Sequence, residues 1–292
     1  MPDATHPATL PRGCDCHTHI FLDQASYPYA EGRRYTPAEA SVADLERLLA
    51  RLGLSRVVIV QPSVYGTDNA ATLAGLRQLG PDRARGIAVI DADTPDGEFQ
   101  VLQAAGIRGV RVNLEMDGEA DPSQAAATLR SVATRVAPLG WHVQIYSQLR
   151  LISALADVIP TLPVPVVLDH FAGARAELGP DQPGFGEVLG MLRTGRVYVK
   201  LSGAYRSSDV APYRNVAPLA RVLIATDSAR LVWGSDWPHP DLHGPTGSGP
   251  FDVRPGLPID DPAVLGLLDD WTDDPAVKRA ILVDNPDRLY FG

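Results

Sequence analysis

Gly13-Cys14-Asp15-Cys16-His17-Thr18-His19-Ile20 is the stretch on which the reading of this chain turns. It has the form of a short strand that ends in a His-x-His pair. Alternate residues of a strand share a face, so His17 and His19 point the same way, with Asp15. Cys14 and Cys16 take the other parity. That predicts cysteines packed outward under helices rather than completing a Cys/His metal site, and they sit too close along one strand for an unstrained disulfide. Two imidazoles converging from one strand, in a chain with 7 His, suit metal binding, a grip on a carbonyl oxygen, or proton transfer.

Beyond this strand the chain alternates short apolar runs with longer amphipathic ones. Candidate strands are Cys14–Ile20, Arg56–Pro62, Gly86–Asp91, Gly109–Leu114, His142–Tyr146, Val164–His170, Val197–Ser202 and Leu231–Asp236. Several are nearly continuous Val/Ile runs, as expected of parallel strands buried on both faces. Thr36-Pro37-Ala38-Glu39 predicts a capped helix start, followed by the apolar stripe Val42, Leu45, Leu48, Leu49 and Leu52 and the stop signal Gly53. Asp121-Pro122-Ser123-Gln124 repeats that logic before Ala125–Pro138, and weaker helical patterns follow Thr67, Thr94, Ser147, Gly184 and Pro212. Eight such alternations predict an α/β fold, a (β/α)8 TIM barrel. An open doubly wound sheet is the alternative, but no Gly-x-Gly-x-x-Gly turn follows the first strand. Residues 13–292 read as a single domain behind a flexible N-terminal arm, residues 1–12. The long Pro- and Gly-rich stretch Pro238–Pro258 follows the last strand, where loops of that length tend to be functional.

At 292 residues, with 45% hydrophobic and 21% charged residues, the composition is that of a globular protein with a substantial core. The formal charge of −9 and the lack of any Lys/Arg-rich run argue against nucleic acid or an anionic membrane as partner. Met1 to Arg12 has no apolar core of a secretory signal, and no run approaches the roughly eighteen apolar residues of a membrane span. A cytoplasmic enzyme acting on a small molecule is the expectation, with a homo-oligomer left open.

In such a barrel chemistry gathers at the C-terminal ends of the strands. Here those ends carry His17 and His19; Gln61, Ser63 and Tyr65; Arg111 and Asn113; Gln144 and Tyr146; Asp169 and His170; Lys200, Ser202 and Arg206; and Ser235, Asp236 and His239. Histidines on the first and sixth strands together with an Asp on the eighth form the most specific part of the set.

His17-Thr18-His19, Asp169-His170, Val232-Trp233-Gly234-Ser235-Asp236-Trp237-Pro238 and the terminal Asn285-Pro286-Asp287-Arg288-Leu289-Tyr290 together resemble the amidohydrolase superfamily. Within it they resemble the amidohydrolase 2 branch that contains 2-pyrone-4,6-dicarboxylate lactonase and sugar lactonases, over essentially Gly13 to Gly292. The resemblance implies a hydrolase of catabolism that opens a lactone of a carboxylated pyrone, a muconolactone or a sugar acid. Asp236 would be the general base that activates water, with His17, His19 and His170 polarising the carbonyl directly or through a metal. The two-metal pattern of the superfamily adds a bridging Lys and another His, where this chain has Arg111, Asn113, Gln144 and Tyr146. His17, His19, His170 and Asp236 are suitable ligand types for a mononuclear Zn²⁺ or Mn²⁺ site, while the lactonase branch implies no obligatory cofactor.

Arg111, Arg206 and Arg108 are candidates to grip a substrate carboxylate, since a guanidinium pairs with it bidentately. Arg111 has the better parity. Tyr35, Ser63, Tyr146 and His239 are further candidate substrate contacts. The resemblance to dicarboxylate lactonases implies a second basic residue a few positions after the strand-four Arg; this chain has the acids of Leu114-Glu115-Met116-Asp117 there, which favours a monocarboxylate or a neutral sugar lactone as substrate. Competing readings are a metal-dependent decarboxylase of an unsaturated or aromatic acid, a lactone isomerase, and a non-catalytic barrel that binds a metabolite. Asp236 argues against the last, because a binder gains nothing from a general base.

Overall fold

The computed structural model of the protein describes residues 10–118, 120–242, 244 and 247–292. Residues 1–9 of the expected arm lie outside the described residues. Its last part, from Leu10, is tied down: Leu10 N–H donates to Gly53 O at 2.9 Å, and Arg12 pairs with Asp287 at 2.9 Å.

Eight parallel strands form one sheet in sequence order: β1 (Cys14–Thr18), β2 (Arg56–Val60), β3 (Ala84–Ala88), β4 (Ile107–Asn113), β5 (His142–Tyr146), β6 (Val166–Leu168), β7 (Val197–Ser202) and β8 (Leu231–Gly234). The sheet curls until its edges meet. Just past the last strand, Trp237 bridges Thr18, His19 N–H donates to Trp237 O at 2.7 Å, and Asp236 N–H to His17 O at 2.9 Å. Closure removes the exposed edges that an open sheet would leave. The helices that follow the strands are α1 (Val42–Leu52), α2 (Ala70–Leu79), α3 (Asp96–Ala104), α4 (Pro122–Val136), α5 (Leu149–Ala154), α6 (Phe185–Arg193), α7 (Ala217–Asp227) and α8 (Asp261–Trp271). The expected (β/α)8 barrel is the architecture found.

Local physics explains most element boundaries. The stripe Val42, Leu45, Leu48, Leu49 and Leu52 is buried along α1, and each such side chain removed from water contributes about 1.5–3 kcal/mol. Asp121 caps α4 by accepting from Ser123 N–H at 2.8 Å, with Pro122 in the first turn. Two expectations need correction. Thr36-Pro37 does not start α1. The pair forms a two-residue strand against Val253–Arg254, and the Thr36 hydroxyl is already engaged, donating to Pro250 O at 2.8 Å and accepting from Arg33 Nε at 2.7 Å. The helix begins instead at Ser41, in a capping box with Asp44.

The second correction concerns β1. Register against β2 shifts between Asp15 and Thr18, so strict alternation fails within the strand that decided the reading. Cys14 and Cys16 pack with Val58, Val60, Ile87, Val232 and Tyr290, apart from the helix-facing cluster that holds Val57 and Ile59. The cysteines therefore face the barrel interior. Asp15 lies against the neighbouring strand, accepting from His17 N–H at 3.1 Å and Ser235 N–H at 3.0 Å.

Candidate active site

The mouth of the barrel brings His17, His19, His170 and Asp236 together. His17 Nε2 and His19 Nε2 each lie 3.5 Å from Asp236 Oδ1, and His170 Nε2 lies 4.0 Å from Oδ2. The backbone bends sharply to achieve this. His170 (φ 47°) and Asp236 (φ 68°) occupy the left-handed region, which costs about 1–3 kcal/mol for such residues and recurs at functional sites. Two glycines make room. A Cβ on Gly203 would come within 2.9 Å of His170 Nδ1 and 3.2 Å of Asp236 Oδ2. One on Gly234 would come within 2.6 Å of the His17 Cβ, where β8 approaches β1.

Asp236 is fully buried, which alone would raise its carboxyl. Arg206, in contact with Oδ2 through Nε, outweighs burial together with His170 and holds it well below the usual carboxylate range. Tyr205 OH donates to the same oxygen at 2.7 Å. Oδ1 has no hydrogen-bond partner. Burial lowers the three imidazoles, His170 to about 4, so at neutral pH all are uncharged beside an ionised Asp236.

Each ring is set by its second nitrogen. His19 Nδ1 lies 2.8 Å from Val60 O and must donate to it, which leaves Nε2 of the neutral ring as an acceptor. His170 Nδ1 meets Ser202 Oγ at 3.0 Å. His17 Nδ1 sits between Lys200 Nζ and Asp169 Oδ1, 3.3 Å from each. If Lys200 donates, His17 presents Nε2–H to the mouth. If Nδ1–H donates to Asp169, Nε2 becomes a lone-pair donor to a metal.

Asp169 and Lys200 form a second buried cluster beneath the first, and sequence reasoning assigned neither a role. Arg111 Nε (3.2 Å) and Gln144 Nε2 (3.0 Å) donate to Asp169 Oδ2, and Lys200 Nζ lies 3.4 Å from Oδ1 while donating to Gln144 Oε1 at 2.7 Å. Burial would raise Asp169, but Lys200 and His17 keep it well below the usual range. The signal available in the sequence was Lys200 itself, a lysine inside an apolar strand of a chain with only one other, Lys278. Tyr205, beside the assigned Arg206, was likewise missed.

Above Asp236 is a small space of about 20 Å³, lined by His19, Tyr35, Ser63, Arg111, Tyr146 and Arg206 among others. About 10–15 Å³ suffices for one water molecule. The expected contacts Tyr35, Ser63, Arg111, Tyr146 and Arg206 thus converge on one point. Arg108 and His239 do not. Arg108 is the second residue of β4, at the far end of the strand, and donates to Gln103 O and Ile107 O. His239 Nε2 bonds Asp261 at 2.9 Å and its ring packs edge-on against Tyr205, so it supports Tyr205 rather than facing the space.

The residues fit a single metal ion. Ligand atoms of His17, His170 and Asp236 lie within 4.8 Å of one another, and His17 Nε2 and Asp236 Oδ1 are buried without hydrogen-bond partners.

The chain matches the family described as Amidohydrolase over residues 14–292. It belongs to the amidohydrolase family. This amidohydrolase is 35% identical to the 2-pyrone-4,6-dicarboxylate hydrolase of Comamonas testosteroni, over 97% of this chain and 91% of that one. It is 34% identical to the 4-sulfomuconolactone hydrolase of Hydrogenophaga intermedia, over 96% and 89%. The D-galactarolactone isomerase of Agrobacterium fabrum is 31% identical over 98% and 94%. Among solved structures, one from Acinetobacter baumannii with citric acid bound superposes with a TM-score of 0.80 at 28% identity, over 96% of this chain and all of that one. No helix among the described residues is long and apolar enough to cross a membrane.

Proposed function

We propose that this amidohydrolase hydrolyses a lactone that bears a carboxylate, with Asp236 as general base. The observation that carries the reading is Asp236 Oδ1, an unpartnered oxygen of an ionised, buried carboxylate beside a water-sized space ringed by imidazoles and two guanidiniums. Water held there gives a proton to Asp236 as its oxygen adds to the lactone carbonyl carbon. His17, presenting Nε2–H under the control of Lys200, donates to the oxyanion. His19 presents an acceptor and so orients the water. Collapse breaks the ring C–O bond, and Asp236 returns the proton to the departing alkoxide. Arg111 and Arg206 hold the substrate carboxylate. Lactone chemistry in three relatives, and the polycarboxylate citric acid in a fourth, support this assignment.

A divalent metal would be held by His17, His170 and Asp236, and when bound would polarise the carbonyl as a Lewis acid. We infer that it is not obligatory, because Lys200 can set His17 as a donor. Metal analysis with assay after chelation tests this: loss of all turnover, restored by one ion per chain, overturns the metal-free route. The hydrolase reading is tested by acid release from carboxylated lactones in ¹⁸O-water. One ¹⁸O per opened product is expected. Loss of carbon dioxide without ring opening, or rearrangement without label, overturns it.

A further inference from the structure

The small space over Asp236 opens into a much larger cleft of about 850 Å³; Tyr146, His170, Arg206, Pro240 and Leu242 line both. The cleft runs outward across the loops that follow β5, β6, β7 and β8. Its volume falls within the roughly 300–1,000 Å³ of sites that take drug-sized ligands, far more than one lactone ring needs.

Its lining tells what would occupy it. Leu149, Leu178, Pro183, Leu242 and Leu257 supply the apolar surface. Several polar groups along it are already committed to one another, while Arg150 is exposed at the cleft and keeps its charge in solvent. Arg175 is held by Asp209 at 2.6 Å and by Arg206 O at 3.1 Å, and Gln148 donates to Glu115 at 3.1 Å. Gln182 is used up on the backbone of Arg175 and Gly179. An ionised ligand group placed here would have to compete with these pairs, whereas a hydrocarbon chain can cover Leu149, Leu178, Pro183, Leu242 and Leu257 and leave the charged pairs to solvent.

We propose that the substrate lactone carries a long, largely apolar substituent, which lies in this cleft while the ring sits against Asp236. This rests on the lactonase reading, and makes the protein selective for extended lactones over compact ones. The cleft's position decides the geometry: the substituent leaves the ring on the Tyr146 and His170 side, away from Tyr35 and Ser63.

The test is a series of δ-lactones with one ring carboxylate and a side chain lengthened from methyl to octyl. Burying one methylene is worth about 0.8 kcal/mol, so kcat/KM should rise by up to about fourfold per carbon until the cleft is filled. Leu178→Trp, at a position 64% exposed and so tolerant of replacement, and Ser153→Trp both narrow the cleft. In each, the octyl-to-methyl ratio of kcat/KM should collapse toward one. A wild-type ratio of one or less, with short lactones turned over, overturns the cleft assignment and leaves the lactonase reading standing. A steep ratio that neither tryptophan alters also overturns it. Failure to open any member of the series removes the lactonase reading and the cleft assignment with it.

Discussion

Asp236 and Asp169 flank the same imidazole, that of His17, and both are buried, yet they sit in different chemical settings. Asp236 spends one oxygen on Arg206 and Tyr205 and leaves the other turned toward the small space at the barrel mouth. Asp169 lines neither cavity. Lys200, Arg111, Gln144 and His17 surround it below the mouth. Both are ionised, so charge alone does not separate a base from a buttress. Access does: each carboxylate has an Oδ1 without a hydrogen-bond partner, but Asp236 lines the small space and Asp169 does not.

The sharpest way to break the comparison is to neutralise each carboxylate's cluster in turn. Asp236→Asn should lower kcat/KM by about 10²–10⁴-fold, the usual worth of a general base, with far-ultraviolet circular dichroism unchanged. A loss under tenfold would take the base role from Asp236. Lys200→Met should act in the other currency. Leaving Asp169 short of a buried cation should cost about 3–5 kcal/mol, read from the midpoint of urea unfolding, with a smaller loss of turnover than Asp236→Asn. Equal stability of variant and wild type would mean that the pair is not a buttress.

Arg111 touches both clusters, bonding Asp169 while lining the small space. Arg111→Lys keeps the charge but loses the planar fork, so KM for a carboxylated lactone should rise about tenfold with kcat little changed. A fall in kcat alone would assign Arg111 to the reaction rather than to binding.

A third buried carboxylate extends the comparison with the smallest effect. Burial raises Asp15 from 3.8 to about 7, only partly offset by hydrogen bonds from Ser235 and His17. Between these values the folded chain holds a proton that the unfolded chain has released, so this group makes stability decline as pH rises. His170, lowered to about 4, acts the opposite way: the unfolded chain takes up a proton first, and stability declines as pH falls from 6.5 toward 4. Asp15→Asn should therefore raise the melting temperature by a few degrees at pH 8 relative to wild type, and by less at pH 5. A gain that does not grow with pH would place the titration elsewhere.

Much of this was legible along the chain. The βα period, the Val/Ile-rich strands and the caps at Ser41 and Asp121 act over a few residues, so they leave local patterns. Of these the third strand, read as Gly86–Asp91, runs Ala84–Ala88, and the first cap was misplaced because Thr36 and Ser41 both offer hydroxyls and that of Thr36 is engaged by Pro250, more than 200 residues away. The residues His17, His19, His170 and Asp236 were legible for a related reason: a barrel sends every strand's C-terminal end to one rim, so polar residues at those ends meet whatever their separation.

The sequence by itself therefore determined the architecture, the four residues that meet at the mouth and five further side chains that line the small space there. Tertiary structure decided what period and composition do not encode. The register shift in β1 turned the cysteines inward, because alternation holds only while the ladder is unbroken. Arg108 went to the far end of β4 and His239 to Asp261, since neither strand depth nor loop direction follows from residue type. Asp169 and Lys200 became partners because β6 and β7 are neighbours in the barrel, and a buried charge is stable only where another strand brings its counterion.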